Sequence, residues 1–410
     1  MVEVSAYFRQ RCCLAILDRN VEPAPLFAIP TSHKRETRGR GEIHGPQGFH
    51  KAFTCGGSCF ALVFPPGLGE RSPETRSVLG GTSFLGPALV EGAIAEGHTV
   101  TLFNRGVTNP DLFPHQEKLR GFRSSTPGDE DLSALARRRF DAVVDVWPND
   151  PALAASAAEF LKNRVGHYLY VSSIAAYDSK EFGRAGIEET APLESWIGPG
   201  RKYNRGKAES ERRLHAILGD KLTIVRPGPI KGNRDTTPDL LTWLIRAQKG
   251  GQHIGPGDGS DPVELVDVKD VARFLMLAID SSLHGTFNLT GRPMTFRAFL
   301  NACNAATRSD AQFVWIPQDF LHQHGLETDF ALRLFAGNFP FWRPAGAMPG
   351  LLQVSSEKAF RAGWQTRPFQ ETALDCLTYF RSLHETLHWD DYLSADKEKQ
   401  VLDAWAHRSS

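Results

Sequence analysis

Tyr203 and Lys207 stand four residues apart in Tyr203-Asn204-Arg205-Gly206-Lys207, a spacing that puts both side chains on one face of a helix. A phenol with a pKa of about 10 is a poor acid–base catalyst at neutral pH, and a neighbouring ammonium favours its phenolate. Such a pair can pass a proton to or from a carbonyl or alcohol oxygen. Upstream, Val165–Ile174 (VGHYLYVSSI) reads as a strand that ends in Ser172-Ser173. Open α/β sheets place their ligands at the carboxyl ends of their strands. A serine hydroxyl there can hydrogen-bond the oxygen that Tyr203 protonates.

A third stretch supplies a place for the redox partner of that proton. Ser77–Leu79 is a short apolar run, followed by Gly80-Gly81-Thr82-Ser83-Phe84-Leu85-Gly86 and then by Leu89, Val90, Ala93 and Ile94 at helical spacing. His98–Phe103 next has strand composition, so strand, glycine turn, helix and strand follow within one short unit. This is the βαβ arrangement that binds dinucleotides. Gly80 and Gly81 allow close approach of a pyrophosphate to the main chain, the helix start directs unpaired N–H groups at it, and Gly86 lets helix and strand pack closely. Ser83 replaces the middle glycine of the usual spacing, which predicts a slightly different turn. The second strand ends in Asn104-Arg105 where an NAD-selective site carries an acid for the ribose hydroxyls. An Asn followed by Arg can instead pair with a 2′-phosphate through a charge-assisted fork, against the plainer alternative of a solvated loop arginine. The expected cofactor is NADP(H), with NAD as the alternative.

The elements that must position these residues alternate from Arg76 onward. A short strand is expected at 118–122, a helix at 131–139 capped by Asp131, a strand at 140–147, an alanine-rich helix at 152–163, the serine strand, the Tyr/Lys helix at 203–218 and a strand at 222–226. Segments 263–266, 268–280 and 286–289 are expected to finish the sheet and its helical cover. Alternation of this kind predicts an α/β fold with a doubly wound parallel sheet. Residues 293–410, rich in aromatics such as Trp315, Trp342 and Trp364, are expected to form a smaller, mostly helical substrate domain. Residues 1–75 lack periodicity and read as a poorly ordered extension, with organelle targeting as one alternative.

The 410 residues carry 47 Lys plus Arg and 47 Asp plus Glu, a balance that argues for neither nucleic acid nor membrane as partner. No apolar run reaches the length of a membrane span. The six cysteines show no paired ligand spacing, which predicts free thiols in a reducing, cytoplasmic setting. The histidines offer nothing beyond His322/His324, so no metal is expected. Asp267 and Asp270 read as caps of the helix near Val268.

Together, GGTSFLG (80–86), TLFNRG (101–106), the serine strand, Tyr203/Lys207, Arg226-Pro227-Gly228 and VELVDVKDV (263–271) resemble the extended and atypical short-chain dehydrogenases/reductases, most closely the NAD-dependent epimerase/dehydratase family. The resemblance spans about residues 76–380 and implies a Rossmann-like domain at 76–292. By position it implies that Ser173, rather than Ser172, is the catalytic serine. It makes Tyr203 the acid/base and Lys207 the residue that holds the nicotinamide ribose. Asp145 and Trp147 fall where the family lines the adenine–ribose side of the cofactor. Relatives often pair through a helical bundle, which makes a homodimer the expected assembly. Three departures bear on activity. Ile174-Ala175 stand where family dehydratases carry acids, Pro229 stands where sugar-nucleotide members carry Asn, and Phe122-Arg123 replace an acid after the third strand. The expected activity is carbonyl reduction, or alcohol oxidation, on a small biosynthetic substrate. A sugar epimerase is the alternative within enzymes, and a nucleotide-sensing or RNA-binding protein is the alternative outside them.

Overall fold

The computed structural model describes residues 75–124, 128–146, 150–197, 202–326, 338–344, 348–383 and 392–408. The N-terminal extension with Cys12, Cys13, Cys55 and Cys59, and also Trp147, lie outside these residues.

The chain begins with β1 (Thr75–Leu79), α1 (Leu85–Ala95), β2 (Thr99–Asn104) and β3 (Glu117–Arg120). β4 (Phe140–Asp145), α2 (Pro151–Leu161), β5 (Val165–Val171), α3 (Lys202–Leu218) and β6 (Leu222–Pro227) follow. Then come β7 (Ile230–Lys231), α4 (Pro238–Lys249), β8 (Gln252–Pro256), β9 (Pro262–Val263), β10 (Val266–Asp267), α5 (Val268–Asp280) and β11 (Gly285–Leu289). The last part holds β12 (Met294–Thr295), α6 (Phe296–Thr307), β13 (Gln312–Ile316), α7 (Gln318–Gln323), α8 (Glu357–Arg361), α9 (Phe369–Ser382) and α10 (Ala395–His407).

Seven strands form one sheet in the order β11-β6-β5-β4-β1-β2-β3, and every pairing in it is parallel. Parallel strands need crossover helices on both faces. One face carries α1 and α5, whose Leu89, Val90, Val271 and Leu275 bury against Val78, Val100 and Val144. The other carries α2 and α3, with Ala154, Ala158, Leu161, Leu214 and Leu218 against Leu79, Val143 and Tyr168. The Rossmann-like, doubly wound sheet expected from the sequence is present.

Three local expectations fail for identifiable reasons. The helix at 131–139 shrinks to one 3-10 turn at Ser133–Leu135, because Asp131 exchanges both backbone hydrogen bonds with Phe122 (3.0 and 2.9 Å) and its side chain caps only Ser133. Residues 263–266 do not extend the sheet. β9 pairs with β12, and β10 with β7, as separate two-residue ribbons. The C-terminal region also contains a strand, β13, which runs parallel to β8. Its core joins Phe296, Phe299, Phe339 and Trp342 to Leu240, Leu244 and Ile254, so it reaches back across residue 293 to α4 and β8. Trp364 leaves it altogether and packs on Phe274 against the sheet. Asp267 caps α5 through the Lys269 amide, as expected.

Candidate functional site

The glycine turn joins β1 to α1 at the carboxyl edge of the sheet. Gly81 has φ of +88°, and a Cβ built on Gly86 would lie 2.4 Å from the Gly81 Cα, so only glycine at 86 lets the first turn of α1 sit on the loop. Phe84 at the helix N-cap places no side chain on the first-turn amides, and no acid stands in that turn. Those N–H groups therefore stay available to an anion, aided by the helix dipole. The Ser83 side chain is exposed on the turn, whereas Thr82 is buried. Two asparagines brace the loop: Asn104 Nδ2 donates to the Gly80 carbonyl (3.1 Å) and Asn109 Nδ2 to that of Thr82 (2.8 Å). A backbone cradle that a Cβ would fill, below uncapped amides, fits a dinucleotide pyrophosphate.

Ser173, Tyr203 and Lys207 converge at the end of β5. Ser173 caps the short turn after the strand through the Ala175 amide (3.1 Å), and its hydroxyl is close enough to Tyr203 to pull the phenol's pKa down. Lys207, one turn along α3 from Tyr203, places Nζ 6.0 Å from the Tyr203 ring centre and 5.0 Å from that of Tyr170. It donates to the Val171 carbonyl at 2.8 Å. Burial lowers the Lys207 pKa to about 8, against the upward pull of Asp145 and Glu211, while Arg123 lowers it further. Tyr203 is 43% exposed over the whole residue; partial burial raises its pKa, and the neighbouring Ser173 hydroxyl pulls the other way. The sequence predicts a phenol pulled toward phenolate by Lys207. In the fold, desolvation wins and Tyr203 keeps its proton, the form needed to protonate a carbonyl oxygen.

The two serines separate cleanly. Ser172 donates to Glu211, and Glu211 also accepts from Arg226 at 3.0, 3.2 and 2.6 Å. Arg226 in turn lies 4.6 Å over the Tyr177 ring. Glu211 stands two helical turns from Tyr203 on the same face, a spacing readable in the sequence. This buried ion pair fixes α3 against β5 and β6 and leaves Ser173 to the site.

Asp145 turns inward. It is fully buried at the end of β4, where both carboxylate oxygens accept from Arg123 Nη1 (3.0 and 2.8 Å) and one also from the Tyr168 hydroxyl (2.9 Å). Arg123, which replaces the acid expected after the third strand, is thus the counter-charge of Asp145. The pair is close enough to act on the charge of Lys207, and both Asp145 oxygens are already engaged by Arg123 and Tyr168.

At the end of β2 the structure adds a residue. Asn104 is in register with Arg120 of β3, and Arg120 Nη1 donates to Asn104 Oδ1, which also accepts the Gly106 amide at 2.9 Å. The Arg120 guanidinium lies against Gly106, its Cζ 2.8 Å from where a Cβ would stand. Arg105 and Arg120 are both exposed there. Arg120 escapes a reading by motif because only strand pairing brings it to Asn104. Among the described residues no helix is long and apolar enough to cross a membrane.

Comparison with known proteins bears on the family and the fold. The model of the NAD dependent epimerase/dehydratase family matches residues 77–289. The chloroplast stem-loop binding protein of 41 kDa b of Arabidopsis thaliana is 28% identical over 245 residues, 56% of this chain and 62% of its own length. The chain thus spans about three-fifths of that relative. Among solved structures, UDP-glucose 4-epimerase from Thermotoga maritima, with UDP-glucose, superposes with a TM-score of 0.53 at 17% identity, over 76% of this chain and 100% of that one. The Bordetella bronchiseptica enzyme WbmH, in complex with NAD+, gives 0.55 at 16% identity, over 76% and 99%. These two likenesses show the fold. The family match covers more than half of the chain, and the protein belongs to the NAD dependent epimerase/dehydratase family.

Proposed function

We propose that this family member is an NADP(H)-dependent oxidoreductase that reduces the carbonyl of a small biosynthetic metabolite, or oxidises the corresponding alcohol, at Ser173, Tyr203 and Lys207. The observation that carries this reading is the Lys207 ammonium one turn from Tyr203 on the same helical face, 6.0 Å from its ring centre, with Ser173 at the adjoining strand end close enough to act on the phenol. The nicotinamide, when bound, supplies or accepts the hydride at the substrate carbon. Tyr203 gives its proton to the carbonyl oxygen, so hydride and proton together reduce C=O to CH–OH. Ser173 holds that oxygen beside the phenol. Lys207, buried and anchored on Val171, supplies the positive charge that steadies the phenolate left behind and is placed to hold the nicotinamide ribose. Gly80, Gly81, Thr82, Ser83, Phe84, Leu85 and Gly86 cradle the pyrophosphate.

The NADP preference rests on Asn104, Arg105 and Arg120. No acid faces the ribose at the end of β2, and two exposed guanidiniums can receive a 2′-phosphate. We expect NADPH to bind at least tenfold more tightly than NADH, and Arg105→Ala with Arg120→Ala to remove the difference, read by cofactor fluorescence. Equal affinities in the wild type contradict the NADP assignment.

Two other readings stay testable in the same preparation. A sugar epimerase holds cofactor through purification and consumes none overall, whereas net NADPH oxidation on adding a ketone supports a reductase. The stem-loop binding relative favours RNA as a ligand, and the balance of 47 against 47 charges opposes it. Salt-sensitive retention of RNA without cofactor turnover would reverse the ranking. We place the enzyme in the cytoplasm, with residues 1–75 as the segment that delivers it to an organelle in the alternative.

A further inference from the structure

The amino edge of the sheet, opposite to the edge where Ser173 follows β5, gathers a second set of polar side chains. Glu96 is the C-cap residue of α1, and Asp280 is the last residue of α5. The two helices cover the same face of the sheet. His98 stands just before β2, and its amide donates to the Ala93 carbonyl (3.0 Å) across Gly97, whose φ of +82° turns the chain back under the helix end. Glu96, His98 and Asp280 each offer one ligand atom, and these atoms all lie within 4.8 Å of one another. His98 Nε2 and Glu96 Oε2 are 3.7 Å apart, too far for a hydrogen bond. Bonds of about 2.1 Å at tetrahedral angles hold neighbouring donors about 3.4 Å apart around one zinc ion. Small rotations of the two carboxylates close the set, and their side chains, 46% exposed at Glu96 and 38% at Asp280, have room for them.

The electrostatics of this edge favour a cation. Each helix carries the negative end of its dipole at its C-terminus, and neither α1 nor α5 has a basic residue in its last turn. Burial pushes the Glu96 carboxyl up, the facing charge of Asp280 adds to that push, and Arg76 pulls the other way. Arg76, buried in β1, donates to Asp280 Oδ1. One guanidinium thus faces two carboxylates and two helix ends.

From this arrangement we infer that Glu96, His98 and Asp280 form a binding site for a divalent metal ion, zinc by preference, at the amino edge of the sheet. One imidazole nitrogen with two carboxylate oxygens is a donor set that zinc takes, with water completing the shell, whereas magnesium and calcium favour oxygen alone. The ion ties the end of α1, the approach to β2 and the end of α5 together, so its role is structural. The site does not depend on the oxidoreductase reading. Histidine spacing gives no hint of it, because Asp280 reaches His98 only through the packing of α5 beside α1.

Calorimetric titration of the chelator-treated full chain with zinc chloride, magnesium chloride and calcium chloride tests the assignment. We expect zinc to bind with micromolar affinity or better, and at least tenfold more tightly than magnesium or calcium. Glu96→Gln and His98→Ala should each weaken zinc binding at least tenfold. Saturating zinc should raise the melting temperature of the wild type by a few degrees and leave that of His98→Ala unmoved. If His98→Ala fails to fold, Glu96→Gln, at a half-exposed position, carries the comparison. Cobalt(II) in place of zinc should show weak visible bands without the strong near-ultraviolet band of a thiolate ligand. Absence of zinc binding, which leaves these residues an ion-pair network only, overturns the inference. So does zinc affinity that is unchanged in both variants, or a thiolate band that assigns the metal to the cysteines.

Discussion

At the scale of single residues, the chemistry rests on a proton that must be kept in one place and a charge that must be kept in another. Burial holds the proton on Tyr203, as carbonyl reduction requires. The charge is on Lys207, whose pKa burial lowers from 10.5 to about 8. The sign follows from the group: a lysine with a depressed pKa loses its ammonium as pH rises through about 8, and the support for the Tyr203 phenolate is lost with it. We expect kcat/KM for NADPH-dependent reduction to fall on the alkaline side near that pH. Lys207→Arg, which keeps its charge at any working pH, should move this fall upward by at least about one pH unit even where the peak rate drops. An alkaline limb that stays in place in the arginine variant would remove Lys207 from that role. The candidate residues were legible in the sequence because helical spacing and strand ends carry their own geometry. Arg120 and Arg123 were not legible in these roles, since each acquires its meaning from a partner, Asn104 or Asp145, that only the fold supplies.

Among the elements, the β1–turn–α1 unit makes the sharpest demand on sequence. At Gly86 an added Cβ meets backbone atoms of Gly81 at 2.4, 2.6 and 2.8 Å, none of which can swing aside. At Gly92, on the same helix, a Cβ meets nothing within 4 Å. Gly86→Ala should therefore weaken NADPH binding at least tenfold and lower the melting temperature. Gly92→Ala should leave binding unchanged and add about 0.5–1 kcal/mol through helix propensity. Thermal denaturation with cofactor titration of both variants checks the pair, and equal behaviour of the two would contradict the cradle. Strands and helices of the first domain were readable because parallel strands buried on both faces are nearly continuous apolar runs. The helix foreseen at 131–139 was not, because the Asp131–Phe122 bridge occupies backbone groups that a helix start would use.

The whole molecule depends on contacts that cross the chain more than once. Trp364 donates to the Asp270 carbonyl (2.9 Å) and stacks on Phe360 beside the sheet core. Leu240 and Leu244 join the core of the C-terminal helices. Neither exchange shows in the order of residues, so a division of the chain at 293 was all that composition offered. The exchange ties the C-terminal elements to the sheet whose carboxyl edge carries Ser173, Tyr203 and Lys207. The most direct test of the account is turnover of NADPH with a reducible carbonyl by wild type and Tyr203→Phe, with NADPH affinity measured on both. Loss of at least about a hundredfold in turnover with affinity unchanged is the predicted result. Unchanged turnover in Tyr203→Phe would contradict it.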